Sequence, residues 1–125
     1  MDLETTAEII VTDADLDALG HVNNSVYVSY LEKGRTHWYS ELGLSLEEML
    51  VRNTGTVVLK LEIVYVKEAR LGETLKVKTF PVRVGTRSFV LEQIILNERG
   101  EIITEAAVTN VMFNLKTRES MAVAP

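Results

Sequence analysis

The chain has no cysteine, only two prolines and two histidines, and no apolar run approaching the roughly 20 residues that span a bilayer. Without cysteine there is no disulfide framework, no thiolate nucleophile and no thiolate-held metal, a composition that suits a reducing compartment. His21 and His37 are the only imidazoles, so a metal centre would need carboxylates at positions the sequence does not mark, and no metal or cofactor is expected. Positive charge is short as well. Thirteen Lys and Arg against eighteen Asp and Glu leave a net charge of −5, which argues against nonspecific nucleic-acid binding, although a local basic patch would still receive a phosphorylated ligand. The opening residues Met1 to Thr6 are acidic where a secretory signal would be basic and then apolar, so the expected location is cytoplasmic, with no membrane partner.

What is present is enough apolar material for one core: 125 residues, 46% of them hydrophobic, read as a single domain with its core from about Ala7 to Lys116. Glu8 to Thr12, with Ile9, Ile10 and Val11, predicts a first strand ending at an Asp-rich turn. From Asn24 the positions Val26, Tyr27, Tyr30, Leu31, Gly34, Trp38 and Leu42 recur at three- and four-residue spacing, which predicts an amphipathic helix of about five turns stopped near Gly43. Gly34 lies on the apolar face of that helix, and the spacing predicts that a neighbouring backbone comes close there. Leu44 to Val51 reads as one or two short helical turns.

After Asn53-Thr54-Gly55 the period changes to two. Val57, Leu59, Leu61, Ile63 and Tyr65 alternate with Lys60 and Glu62, Leu71-Gly72-Glu73 turns the chain, and Thr74–Val84 follows with a bulge or an edge expected at Phe80-Pro81. Val84 to Arg87 reads as a hairpin turn, Ser88–Asn97 as a strand, Asn97 to Gly100 as a turn and Ile102–Leu115 as the last long strand, leaving Lys116 to Pro125 as a loosely ordered tail. Five strands bury the single long helix only if the sheet curls around it, so the fold class is α+β with a curved antiparallel sheet wrapped on one central helix.

The chemistry concentrates between Asp15 and Tyr27. Asp17 sits in a turn containing Gly20, a few residues before the helix start, where a carboxylate and the first free helix N–H groups can face the same carbonyl. Each residue also has a plainer reading. Asp17 by itself is an ordinary turn aspartate, Asp15 binds turn amides and Asp13 is solvated. His21 orients Asp17 or a substrate, or bonds a backbone group; His37 is structural. Asn23 and Asn24 start helices well whatever their chemistry. Tyr27, Tyr30 and Trp38 are core at helical spacing, Glu32 and Arg35 pair on the helix surface, and Lys67, Arg70, Arg83 and Arg87 form a solvated face.

The run Asp-x-Asp-Ala-x-Gly-His-Val-Asn-Asn-x-x-Tyr-x-x-Tyr-x-Glu-x-x-Arg, Asp15 through Arg35, resembles the hotdog-fold acyl-CoA thioesterases of the 4-hydroxybenzoyl-CoA thioesterase type. The resemblance implies hydrolysis of an aromatic or medium-chain acyl-CoA to CoA and a free acid. It places the catalytic carboxylate, nucleophile or general base, on Asp17 and the carbonyl-polarising backbone N–H on Asn24. Gly20 allows the turn between them, with His21 beside it. Val22, Asn23 and Tyr27 would line the substrate, and Arg87 and Ser88 would meet the nucleotide phosphates. It also implies a dimer or tetramer with sites between subunits. Acyl carrier protein is the alternative carrier, and a hotdog hydratase or dehydratase or a noncatalytic acyl-binding domain are the competing classes.

Overall fold

Asn23 starts the long helix as predicted: its side-chain oxygen accepts the Ser25 amide at 3.0 Å, so one of the orphan N–H groups of the first turn is satisfied. Helix α1 then runs over Asn24–Glu41, and Gly43, at φ +80°, ends it. The computed structural model describes residues 2–123 and places strand β1 (Thr5–Ile10) before α1 and helix α2 (Leu46–Val51) after it. Strands β2 (Thr54–Tyr65), β3 (Thr74–Val84), β4 (Ser88–Leu96) and β5 (Ile102–Asn114) follow. The sheet order is β1-β3-β4-β5-β2, and every neighbouring pair is antiparallel. This is the α+β arrangement expected from the alternation, with α1 packed chiefly on β1, β3 and β4.

The core falls into two clusters along α1. Tyr27, Tyr30 and Leu31 pack with Val11, Leu75, Val77, Ile95 and Val108 near the start of the helix. Trp38 and Tyr39 pack with Met49, Phe89, Leu91 and Met112 near its end. Between them Gln93 is fully buried: its amide nitrogen donates to the Leu31 carbonyl and to Thr79 Oγ1, both at 2.9 Å, while its oxygen accepts from Arg35 Nη1 at 3.0 Å.

Several expectations need correction. The first strand begins at Thr5 and ends at Ile10 rather than spanning Glu8 to Thr12, because the ladder with β3 starts at the β-branched pair Thr5 and Thr79; Val11 bonds only the turn residues Gly72 and Glu73. In β2 the alternation slips at Leu59, where the register shifts between Val58 and Lys60. Leu61 and Ile63 therefore pack on the core as predicted, while Val57 and Leu59 stay exposed. Pro81 lies at a bulge, with the register shifting between Pro81 and Arg83, and beyond Thr79, where pairing with β1 has ended. Arg35 is not on the helix surface with Glu32; it is buried against Gln93.

The tail is held further than expected. The Met121 amide donates to the Met112 carbonyl at 2.9 Å and the Val123 amide to the Thr86 carbonyl at 2.8 Å, and both side chains pack on the second core cluster. Positions 124 and 125 of that predicted tail lie outside the described residues.

At Gly34 the close neighbours are side chains rather than backbone. A Cβ there would stand 2.5 Å from Val77 Cγ1 and 3.0 Å from Gln93 Nε2. Gly34→Ala gains about 1 kcal/mol of helix propensity but forces a packed Val77 to move, at about 1–3 kcal/mol. Urea unfolding of Gly34→Ala is expected to show a net loss of stability; a raised midpoint would show that the sheet yields there.

Candidate active site

The loop before α1 is organised around two aspartates with different surroundings. Asp15 Oδ2 accepts the Thr12 amide at 3.0 Å, the Thr12 hydroxyl at 3.4 Å and the Tyr30 hydroxyl at 2.8 Å. Burial pushes the Asp15 carboxyl up, but these hydrogen bonds and nearby Lys33 outweigh it and hold the pKa below its ordinary value. Burial and the adjacent carboxylate push the Tyr30 phenol up, so it stays a donor. Asp15 is thereby a structural strut between the loop and the second turn of α1.

Asp17 differs in exposure and in partners. Asp15 is half-buried and tied to α1, whereas Asp17 is exposed and bonded only within its own loop, Oδ1 accepting the Leu19 amide at 2.9 Å and the His21 amide at 3.0 Å, with no donor to Oδ2 among the described residues. The backbone closes the same loop, with the Asp17 amide donating to the His21 carbonyl at 2.7 Å and the Gly20 amide to the Asp17 carbonyl at 3.0 Å. Gly20 adopts φ +80°, the left-handed conformation a glycine supplies without strain. The His21 amide chiefly, opposed by slight desolvation and helped by the Leu19 amide and the His21 ring, holds the Asp17 carboxyl below the ordinary carboxylate range. Asp17 is exposed on this chain and charged at neutral pH.

An isolated bridge between Leu16 and Val22 brings the chain back to the helix start. Asn24 is the first helical residue, and among the described residues nothing accepts its N–H. Its carbonyl accepts the Tyr65 hydroxyl at 3.2 Å. A charged carboxylate and an unengaged amide dipole thus lie seven residues apart in one loop and helix start, an arrangement suited to attack on a carbonyl whose oxygen gains negative charge.

The other predicted residues are placed as follows. His21 is exposed, with Nε2 3.8 Å from Glu68 Oε1. Asn23 is exposed and its side chain is committed to capping. Val22 and Tyr27 point into the core, at 5% and 4% exposure, and the Tyr27 phenol oxygen accepts the Ala69 amide at 2.9 Å. Arg87 donates to the Ser120 carbonyl at 2.8 Å. It and Ser88 belong to the β3–β4 hairpin, beside Phe89 and the end of α1, so one chain does not bring them to Asp17. Among the described residues no three His, Asp or Glu side chains converge as metal ligands.

Sequence reasoning missed Tyr65, Glu68 and Gln93. Gln93 had a signal, being the one polar residue at an inward position in the series Phe89, Leu91, Gln93, Ile95. Tyr65 and Glu68 lie more than forty residues from the loop and carried none.

Residues 11–125 match the thioesterase-like superfamily. The long-chain acyl-CoA thioesterase FadM of Escherichia coli is 31% identical over 118 residues, covering 93% of this chain and 88% of that protein. Among solved structures, the PA2801 protein of Pseudomonas aeruginosa aligns with a TM-score of 0.87 at 33% identity, covering 95% of this chain and 91% of that one. The DHNA-CoA thioesterase of Staphylococcus aureus aligns with a TM-score of 0.88 at 25% identity, covering 95% and 80%.

The Tyr30–Asp15 bond carries a prediction with a definite pH sign. Because the folded-state pKa of Asp15 is lowered, the stabilisation is complete above the unfolded-state value of about 3.9 and is lost as pH falls through the lower folded value. Tyr30→Phe is expected to cost about 1–2 kcal/mol at pH 7, and the gap to wild type in urea unfolding should shrink below pH 4. A pH-independent gap would assign the loss to packing alone.

Proposed function

The chain belongs to the thioesterase-like superfamily and has the hotdog fold, and from that membership we propose that it hydrolyses an aromatic or medium-chain acyl-CoA to CoA and the free acid. The observation that carries the site assignment is the pairing of an unengaged Asp17 Oδ2 with an unengaged Asn24 amide. A thioester carbonyl set with its oxygen toward the Asn24 N–H is polarised by that dipole and by the start of α1. Asp17 then acts by one of two routes. As general base it takes a proton from water while the water oxygen adds to the carbonyl carbon; the C–S bond then breaks, and the CoA thiolate leaves and takes up a proton. As nucleophile its Oδ2 adds to the carbonyl carbon, CoA thiolate leaves, and water hydrolyses the resulting anhydride. The lowered pKa of Asp17 keeps the carboxylate ionised, the form both routes need, throughout the neutral range, at a cost in basicity.

The acyl group is not chosen by kinship. Relatives named for a long-chain acyl-CoA and for DHNA-CoA match comparably well. We further propose that the working unit is a homo-oligomer. β2 is an edge strand paired only with β5, and it exposes Val57, Val58, Leu59 and Val64 together with unpaired backbone groups, which a second copy would cover. In that arrangement a residue remote from Asp17 in one chain, Arg87 among them, can reach the site of another.

Two substitutions separate the two groups without disturbing the loop. Asp17→Asn keeps an oxygen for the Leu19 and His21 amides but removes the base, and is expected to lower kcat by about 10²–10⁴-fold. Asn24→Pro removes the N–H, together with the side-chain amide, at a first-helical-turn position that tolerates proline, after an extended Asn23 (φ −64°, ψ 142°). It should lower kcat by about 10²–10³-fold, whereas Asn24→Ala should stay within a few-fold of wild type. Thiol release from benzoyl-, phenylacetyl-, short- and long-chain acyl-CoAs, and from the same acyl groups on acyl carrier protein, is the readout. Equal activity of wild type and Asp17→Asn would remove the mechanism, and preferential turnover on carrier protein would reassign the substrate.

A further inference from the structure

The first residue of α1 has little on its own element to hold it. The opening N–H groups of a helix lack internal partners, helix ends fray, and the Asn23 side chain is spent on Ser25. An oxyanion donor needs the opposite. Its value depends on being aimed before the charge develops, and a loose first turn spreads the N–H over several directions.

The brace comes from the far end of β2. Among the described residues, Tyr65 is the only side chain outside the loop and α1 that hydrogen-bonds any residue from Val22 to Val26, its hydroxyl donating to the Asn24 carbonyl at 3.2 Å. The N–H and C=O of residue 24 belong to peptide planes that share its Cα, so pinning the second limits rotation of the first. The ring is held too, edge-on to Tyr27 with centroids 5.6 Å apart.

Tyr65 is itself on a firm footing. It closes β2 opposite Thr104, and the Val66 and Lys67 amides just beyond it both donate to the Ile103 carbonyl on β5, at 2.9 and 3.1 Å. The chain then returns to the site: Glu68 Oε1 lies 3.8 Å from His21 Nε2, and the Ala69 amide donates to the Tyr27 phenol oxygen at 2.9 Å. Packing does not account for the hydroxyl. Tyr65 is 42% exposed, so water would satisfy that group, and a phenylalanine would make the same ring contact.

We propose that Tyr65 is the positioning residue of the site: its hydroxyl fixes the Asn24 backbone, so that the free N–H of that residue keeps its aim on the thioester carbonyl. The inference rests on the hydrolase reading for the use of the N–H and not for the rigidity of residue 24.

Tyr65→Phe keeps the ring and removes the brace, and thiol release reads the consequence. One lost hydrogen bond is expected to lower kcat by about tenfold, with KM within about twofold of wild type because substrate contacts are untouched. In the Asn24→Pro background, which has no N–H to aim, the same substitution should change kcat by less than about twofold. Full activity in Tyr65→Phe, a loss carried by KM with kcat intact, or a further tenfold drop in the Asn24→Pro background would overturn the proposal.

Nuclear magnetic relaxation of the ¹⁵N-labelled Asn24 amide needs no substrate. Its order parameter is expected to fall from the rigid-backbone value of about 0.85 toward about 0.6 in Tyr65→Phe, while amides in the middle of α1 stay unchanged as a control on folding. Equal Asn24 order parameters in the two proteins would also overturn the assignment. If the wild type hydrolysed no thioester, the hydrolase reading alone would fall, and the relaxation would still decide whether Tyr65 holds residue 24.

Discussion

The side-chain amide of Gln93 is where helix and sheet are keyed to each other. It donates to a carbonyl in the middle of α1 and to Thr79 on the neighbouring strand, and it accepts from Arg35. A buried amide left without these partners would cost more than the bonds contribute, so the junction tolerates little sliding of the helix along the sheet. Gly34, pressed against Val77, Gln93 and Thr79, removes the remaining slack. The position of α1 then determines where its first turn emerges, and with it where the Asn24 amide faces.

The helix is too narrow for the sheet it serves. Its backbone lies closest to β1, β3 and β4, while β5 and β2 are reached by side chains from both halves of α1 and by the short α2. Two features share this origin. A cavity beside Arg35 is the space between the helix and the more distant half of the sheet, and β2 is the long edge strand on that same side. The bulge at Leu59 adds to the second feature by turning Val57 and Leu59 away from the core.

The Asp17 loop works on local rules. Bonds between residues two to four apart close it, and a glycine in the left-handed region completes the turn. Asp15, two residues earlier, is half-buried and tied to α1 by Tyr30, while Asp17 stays exposed and is bonded only by the amides of its own loop. The same side chain thus serves as strut in one place and as available base in the other, and the difference lies in what surrounds each.

Local features of the chain were legible in the amino-acid order alone. The extent of α1, its Asn23 cap and Gly43 stop, the hairpin at Gly85, the disturbance at Pro81 and the Asp17-to-Asn24 loop all depend on neighbours within a few residues, which is the range that spacing encodes. Tertiary structure decided the rest. The fate of Arg35 turned on Gln93, fifty-eight positions away; the tethering of the tail turned on Met112 and Thr86; and the face shown by Val57 depended on one extra residue at Leu59. Burial and hydrogen-bond satisfaction are properties of the assembled core, and a periodic pattern sees a side chain's polarity but not the partner waiting across the sheet.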